Sequence, residues 1–362
     1  MAELKHTSYE LKQMQSLPLD IKIKMTCRRI QEWYDYWEGD VYVSFSGGKD
    51  STVLMDLVKN KCGLKDVPIV FVDTGLEFPE IKEFTKRYAT EVLRPKKSFK
   101  EILTNFGYPI ISKEVASKIE YAKKYLDSLT KAERERALTQ ITTKEQLEDY
   151  VFNYTCLRQV LGIETKDRGL KLPTDNKNKS QFDCSKYKYL LDADFLISNR
   201  CCYNMKKAPA HSYEVRTKRK PFVGTLTQES RQRQQGWLKT GCNAYETQRP
   251  KSQPMSFWTE QDVLEYIVIN NLEIAPVYGE VIKDESNKYK TTERDRTGCV
   301  FCMFGCHLEK EPNRFQKLKE THPKLYDYCI NGGEYNEDGI WQPSKDGLGI
   351  GHVLDFIGVN YK

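Results

Sequence analysis

Val41-Tyr42-Val43-Ser44-Phe45-Ser46-Gly47-Gly48-Lys49-Asp50-Ser51 is the stretch from which the fold can be read. Its first five residues are β-branched and aromatic, as a strand favours. Two glycines then break the pattern, and Leu54, Leu57 and Val58 resume at helical spacing. The reading is strand, glycine turn, helix. Paired glycines let backbone N–H groups come close to an oxyanion, and the N-terminus of the following helix adds partial positive charge. Such a turn suits phosphate. Ser46 and Ser51 add hydroxyl donors and Lys49 a mobile cation. The spacing is not that of the nucleotide loop with Gly, four spacers and Gly-Lys-Ser/Thr.

Outward from this loop the alternation continues. Val67-Pro68-Ile69-Val70-Phe71-Val72 reads as a second strand, ending at Asp73-Thr74-Gly75, and a helical pattern follows from Pro79 to Tyr88. Strands and helices at this spacing predict βαβ units: an α/β fold with a parallel twisted sheet and helices on both faces. Asp73 and Thr74, at a strand's carboxyl end, stand where open sheets place ligand contacts. Residues 1–38 read as an N-terminal helical lead-in, 39–250 as the loop-bearing domain and 251–362 as a C-terminal region. A Lys/Glu-rich insertion at about 115–185 is helical in pattern up to Leu161 and polar beyond it. Strand-like material returns at Tyr189-Leu190-Leu191 and at Pro221 to Leu226, and Thr259 reads as the cap of a helix beginning at Glu260.

The chain has 362 residues, with 57 Lys+Arg against 51 Asp+Glu, a formal charge of +6. A length of this order allows about two domains and a core that needs no cross-links. No apolar run approaches the roughly 18 residues of a membrane helix, so a membrane role is not expected. The charge is spread along the chain and is only compatible with a nucleic-acid partner. Two local clusters, Lys86 to Lys100 and Lys206 to Lys220, read as either solvated faces or phosphate sites. Eleven cysteines, an odd number, and no signal-like segment after Met1 point to a reducing, cytoplasmic setting in which clustered thiols bind metals or react.

Cys201-Cys202 and Cys299-x-x-Cys302 supply four thiolates, which suit tetrahedral zinc or a cubane iron–sulfur cluster. Adjacent cysteines diverge and chelate a single ion awkwardly, which favours the cluster. Cys306, His307 and Cys329 are left over as a further ligand, a redox thiol or packing. Arg231 and Arg233, in a polar segment after a strand, are candidate phosphate clamps.

Ser46-Gly47-Gly48-Lys49-Asp50-Ser51 resembles the pyrophosphate loop of the ATP pyrophosphatase superfamily, and Val72-Asp73-Thr74-Gly75-Leu76-Glu77-Phe78-Pro79 is similar to the second-strand signature of its phosphoadenosine phosphosulfate (PAPS) reductase branch. The cysteine pair followed by Lys207 and Pro209, with the later Cys-x-x-Cys, resembles the [4Fe–4S] signature of adenosine phosphosulfate (APS) reductases. Gly224 to Arg233 resembles the family's arginine-bearing loop, and Pro254 to Tyr278 its Pro-x-x-x-Trp helix and following turn. The resemblance implies an adenine nucleotide α-hydrolase-like fold with a C-terminal iron–sulfur segment, and ATP, Mg²⁺ and a [4Fe–4S] cluster as cofactors. It implies a nucleotide site of Ser44, Ser46, Gly47, Gly48, Lys49, Asp50, Ser51, Asp73, Thr74, Gly75, Arg231 and Arg233. Lys49, Asp50 and Arg231 would be catalytic, and Cys201, Cys202, Cys299 and Cys302 would hold the cluster.

Sulfonucleotide reductases usually degrade the glycine loop and carry a nucleophilic cysteine in a Cys-Gly-x-His-type tail. Here the loop is intact and Gly347 to Lys362 holds no cysteine. The resemblance therefore implies, first, an enzyme that adenylates an acceptor with pyrophosphate release and supports sulfur transfer, with a nucleic-acid acceptor and a sulfur- or electron-donor protein as partners. The alternatives are an APS/PAPS reductase and a nucleotide-binding regulatory subunit without turnover.

Overall fold

The computed structural model describes residues 4–362; residues 1–3, the start of the expected lead-in, lie outside them. The chain forms two compact units, one running up to Lys96 and resuming over Met205–Val300, the other made of Lys97–Asn204 and Phe301–Lys362. The units interleave instead of following the consecutive blocks 1–38, 39–250 and 251–362. The reason lies in contacts that cross those boundaries. Lys22, in the lead-in helix Leu19–Tyr36, makes a buried ion pair at 2.6 Å with Asp262 in the helix Glu260–Ile269. Tyr266 of the latter helix donates at 2.6 Å to Asp56 of the helix Lys49–Asp56. Lead-in and early C-terminal region are thus parts of the loop-bearing unit.

The core of that unit is a six-stranded sheet of β1 (Val41–Phe45), β2 (Ile69–Val72), β3 (Glu91–Leu93), β4 (Lys220–Val223), β5 (Asn243–Ala244) and β6 (Lys251–Ser252), in the order β3-β2-β1-β4-β6-β5. β1 is central, with Val43 opposite Ile69 on one side and Phe222 on the other, both parallel. A central parallel strand is covered above and below, and Val41, Tyr42, Val43 and Phe45 are all buried. The sheet is mixed, because β5 returns antiparallel to β6. The order reverses at β1, so the loop after β1 opens at the switch point where open α/β sheets bind ligands. The α/β class read from the sequence is the one found.

In the second unit the expected insertion is helical, with Lys113–Asp127 packing Val115, Ala116, Ile119, Ala122 and Leu126 inward at helical spacing. Short helices Lys131–Leu138, Lys144–Glu148 and Thr155–Leu161 follow. Tyr189-Leu190-Leu191 is not a strand but part of a 3₁₀ segment, Ser185–Asp192. Its amides bond locally, Tyr187 N–H to the Cys184 carbonyl and Ala193 N–H to that of Leu190, while Leu190 and Leu191 are buried. Toward the chain's end, Asp194 accepts hydrogen bonds from Tyr335 at 2.7 Å and faces His352 Nε2 at 2.9 Å. Among the described residues no helix is long and apolar enough to cross a membrane.

Candidate functional site

β1 delivers the chain to Ser46, and the turn into the Lys49–Asp56 helix depends on Gly47. Its φ is +71°, and an added Cβ would lie 2.6 Å from Thr85 Cγ2 and 2.9 Å from Ile81 Cγ2. The serines close the loop on itself. Ser51 Oγ accepts from Ser46 N–H at 3.2 Å and donates to the Gly48 carbonyl at 2.9 Å, and Ser46 Oγ accepts from Gly48 N–H at 3.3 Å. From the neighbouring β4, Gly224 comes so close that a Cβ there would sit 2.9 Å from the Asp50 carbonyl oxygen. The helix N-terminus is thereby held against the sheet's carboxyl edge.

A cavity of about 240 Å³ opens over this loop, lined by Ser46, Gly48, Lys49, Asp50 and Ser51, and across from them by Glu229, Glu260, Tyr278, Arg296 and Thr297. Lys49 is buried, and its ammonium donates to Glu260 Oε1 at 2.8 Å and to the Asp295 carbonyl. Its backbone N–H donates to Tyr278 Oη at 3.3 Å, and that hydroxyl lies 3.0 Å from Thr297 Oγ1. Asp50 Oδ1 is buried with no hydrogen-bond partner. Burial pushes this carboxyl up, the Lys49 charge opposes that, Glu260 adds to it, and Arg296 and Arg233 pull it down. Arg233 pairs with Glu229, which also lies 3.9 Å from Arg296. A second cavity of about 200 Å³ is lined by Ser44, Phe71, Val72, Glu77, Ile81 and Lys206, and shares Ser46, Thr297 and Gly298 with the first. Both cavities mix charged and polar groups, and the second adds Phe71, Val72 and Ile81 to its wall.

The structure therefore places Ser46, Gly48, Lys49, Asp50 and Ser51 around the first cavity and Ser44 with Ser46 at the second, with Gly47 shaping the turn and Arg233 acting on Asp50 through its charge. Asp73, Thr74 and Gly75 line neither cavity. Asp73 pairs with Lys82 at 3.0 Å and caps Gly75 N–H, while Thr74 bonds Glu77 at 2.6 Å. They order the turn that presents Glu77. Arg231 is exposed at the first position of the helix Arg231–Thr240 and lines neither cavity; Arg296, from a segment not singled out in the sequence, lines the first. Glu260 and Tyr278 stood only within longer matching stretches. The charged run Thr291 to Gly298, just before Cys299, was the available signal for Arg296.

Among the cysteines, Cys201 and Cys202 lie in the second unit with their sulfurs 3.9 Å apart; Cys302 belongs to the same unit and Cys299 to the first. Arg314 donates to the Cys302 carbonyl at 2.8 Å. Within either unit, no three or more His, Cys, Asp or Glu among the described residues gather as a metal site. Burial pushes the Cys306 thiol up to about 12 and the Cys329 thiol well above its ordinary value, and both side chains are buried. Cys242 accepts from the Trp237 indole at 3.4 Å and lies 3.2 Å from Ser256 Oγ, which is also a buried structural role.

The model of the phosphoadenosine phosphosulfate reductase domain matches residues 40–143 and 158–306, more than half of the chain, and the match includes the loop, the cavity wall and the cysteine pairs. The chain belongs to the PAPS reductase domain family. Two relatives of this PAPS reductase-family chain are uncharacterized proteins of Methanocaldococcus jannaschii. MJ0066 is 34% identical over 106 residues, 27% of this chain and 22% of its own length, and MJ0973 is 34% identical over 111 residues, 26% of each. The chain thus spans about a quarter of the length of the curated relatives it matches. A crystal structure of PAPS reductase from Candida auris in complex with phosphate aligns over 79% of this chain and 99% of that one, at 13% identity and a TM-score of 0.34.

Proposed function

We propose that this PAPS reductase-family chain is an ATP pyrophosphatase that adenylates an acceptor and supports sulfur transfer to it. The observation that carries the reading is the intact Ser46–Ser51 loop at a helix N-terminus, with Lys49, Arg296 and a buried unpartnered Asp50 oxygen facing one chamber. A helix N-terminus with two cations beside it is what a departing pyrophosphate calls for. The second cavity, where Phe71, Val72 and Ile81 stand beside Ser44 and Glu77, fits a nucleoside attached to it. In the reaction, an acceptor oxygen attacks the α phosphorus and the bond to the β-phosphate oxygen breaks. Pyrophosphate leaves, and a sulfur donor later displaces AMP from the activated acceptor. Lys49 and Arg296 meet the charge that grows on the leaving oxygens.

Asp50 is the group that would hold Mg²⁺: an acidic oxygen without a partner is a ligand in waiting, and the metal would shield the phosphate charges. Cys201, Cys202, Cys299 and Cys302 would hold the [4Fe–4S] cluster, a reading supported by four thiols in a Cys-Cys and Cys-x-x-Cys pattern. When bound, the cluster would supply a site for sulfur or electrons. A nucleic-acid acceptor and a sulfur- or electron-donor protein complete the proposal.

The test is incubation of the anaerobically purified chain with Mg·ATP, sulfide as the sulfur donor and candidate acceptors, RNA and DNA among them. Pyrophosphate and AMP should appear in equal amounts only when the acceptor is present. No release with any acceptor, together with sulfite formation from APS or PAPS and a thiol, would replace this reading with a sulfonucleotide reductase.

A further inference from the structure

Lys49 is the cation of the glycine loop, yet its placement comes from elsewhere in the sequence. A lysine ammonium is a compact charge on a flexible four-carbon stem, and holding it in one place costs rotamer entropy. Here two acceptors fix it: Glu260 Oε1 at 2.8 Å, and the Asp295 carbonyl. Three N–H donors less two leave one for the chamber that both Lys49 and Glu260 line. Tyr278 adds a third restraint, accepting the Lys49 backbone N–H at 3.3 Å, with its ring 5.7 Å from the ammonium. Glu260 is also the only carboxylate within salt-bridge reach of Lys49 among the described residues. With the Lys49 side chain only 7% exposed, that carboxylate is the counter-charge of a nearly desolvated cation.

Glu260 itself is free to serve this purpose. It is the first residue of the Glu260–Ile269 helix, whose start is secured by other groups: Thr259 and Asp262 form a reciprocal capping box, and Lys22 pairs with Asp262. With its side chain 35% exposed, Glu260 is not packed into the core.

We propose that Glu260 is a positioning residue that pre-orders Lys49 for the phosphates of the bound nucleotide. The inference rests on the ATP reading above. A phosphate entering the chamber meets an ammonium already aimed, so binding does not have to order the side chain. The negative charge of Glu260 is offset locally by Lys49 itself.

Equilibrium binding of ATP and of inorganic pyrophosphate to the full chain tests this, using wild type, Glu260→Gln, Glu260→Asp, Lys49→Ala and the Glu260→Gln/Lys49→Ala double variant. Glu260→Gln should weaken pyrophosphate binding about tenfold with Lys49 present and change it less than twofold in the Lys49→Ala background. Glu260→Asp, which keeps the charge and shortens the reach, should fall between wild type and Glu260→Gln. An equal loss in both backgrounds would mean that Glu260 acts on its own, and tighter binding by Glu260→Gln would make it a competitor for Lys49; either overturns the inference while leaving the ATP reading intact. Wild type that binds neither ligand overturns both. Thermal melts of each variant separate these outcomes from loss of fold.

Discussion

Asp50 Oδ1 and Gly47 Cα show how much a single residue can decide at this site. Asp50 keeps a buried oxygen unpartnered inside a charged chamber, a cost that a binding role would offset. Asp50→Asn and Lys49→Ala should each lower ATP turnover by about 10²-fold, the loss typical of removing one group that meets developing charge, with melting temperatures close to wild type. Steady-state pyrophosphate release checks this; turnover within twofold of wild type in both variants would remove the loop from the chemistry. Gly47→Ala is expected to act on the fold instead. It combines a strained positive φ with a contact to Thr85, so a destabilisation of about 1–3 kcal/mol should appear in urea unfolding. Ser46 and Ser51 were legible in the sequence as parts of the turn because their hydrogen bonds are local to it, whereas the partners that fix Lys49 come from distant segments. Arg296 was not: it is surrounded by charged residues in a run that reads as surface, and only the packing of its segment against the loop brings its charge to bear on Asp50.

Among the elements, those with local causes were the readable ones. β1, the helix after it and the capped start at Thr259 follow from residues within a few positions of each other, and the capping box at Thr259 and Asp262 is present. The segment Tyr189-Leu190-Leu191 misleads because three apolar residues fit a buried strand and a buried turn of helix equally well; the amides of Tyr187 and Ala193, on either side, pair with carbonyls three residues back, as the 3₁₀ geometry requires. The meeting of β4 with the loop helix was equally hidden, since it turns on the missing side chain of Gly224. Gly224→Val should push the Asp50 backbone away, weakening nucleotide binding at least tenfold while the helix content by circular dichroism stays within a few per cent. Unaltered binding would mean that the contact can relax without moving the loop.

For the molecule as a whole, the cysteine assignment and the acid limit of stability are the open quantities. Cys201→Ser and Cys302→Ser should each lose iron from anaerobically prepared protein, read by iron analysis and visible absorbance; colourless wild type with one zinc per chain would replace the cluster with a zinc site. In the second unit, burial alone would raise the Asp194 carboxyl, but hydrogen bonds from His352 and Tyr335 outweigh it and hold the group below its ordinary value. A lowered carboxyl contributes stability above its unfolded value that is lost as pH falls through the folded one. Asp194→Asn should therefore cost ~0.5 kcal/mol at neutral pH, small because His352 and Asp194 are each about a third exposed, and should flatten the loss of stability below pH ~4. Urea midpoints of both proteins from pH 7 to pH 3 give the comparison, and parallel curves would refute it.

β4 stands beside β1 in the centre of the sheet, yet the ribosome makes the whole of residues 97–204 between β3 and the return to that sheet. During synthesis the apolar edge of Val41–Phe45 must wait, with its row of amides and carbonyls open on one side, until the chain has been extended past Val223. At about 5–20 residues per second that interval lasts roughly 10–35 seconds. The nascent polypeptide therefore spends that time with a sticky half-sheet, and its yield in a cell should respond to translation speed and to holding chaperones more than a protein of similar stability whose strands are made in the order in which they pair.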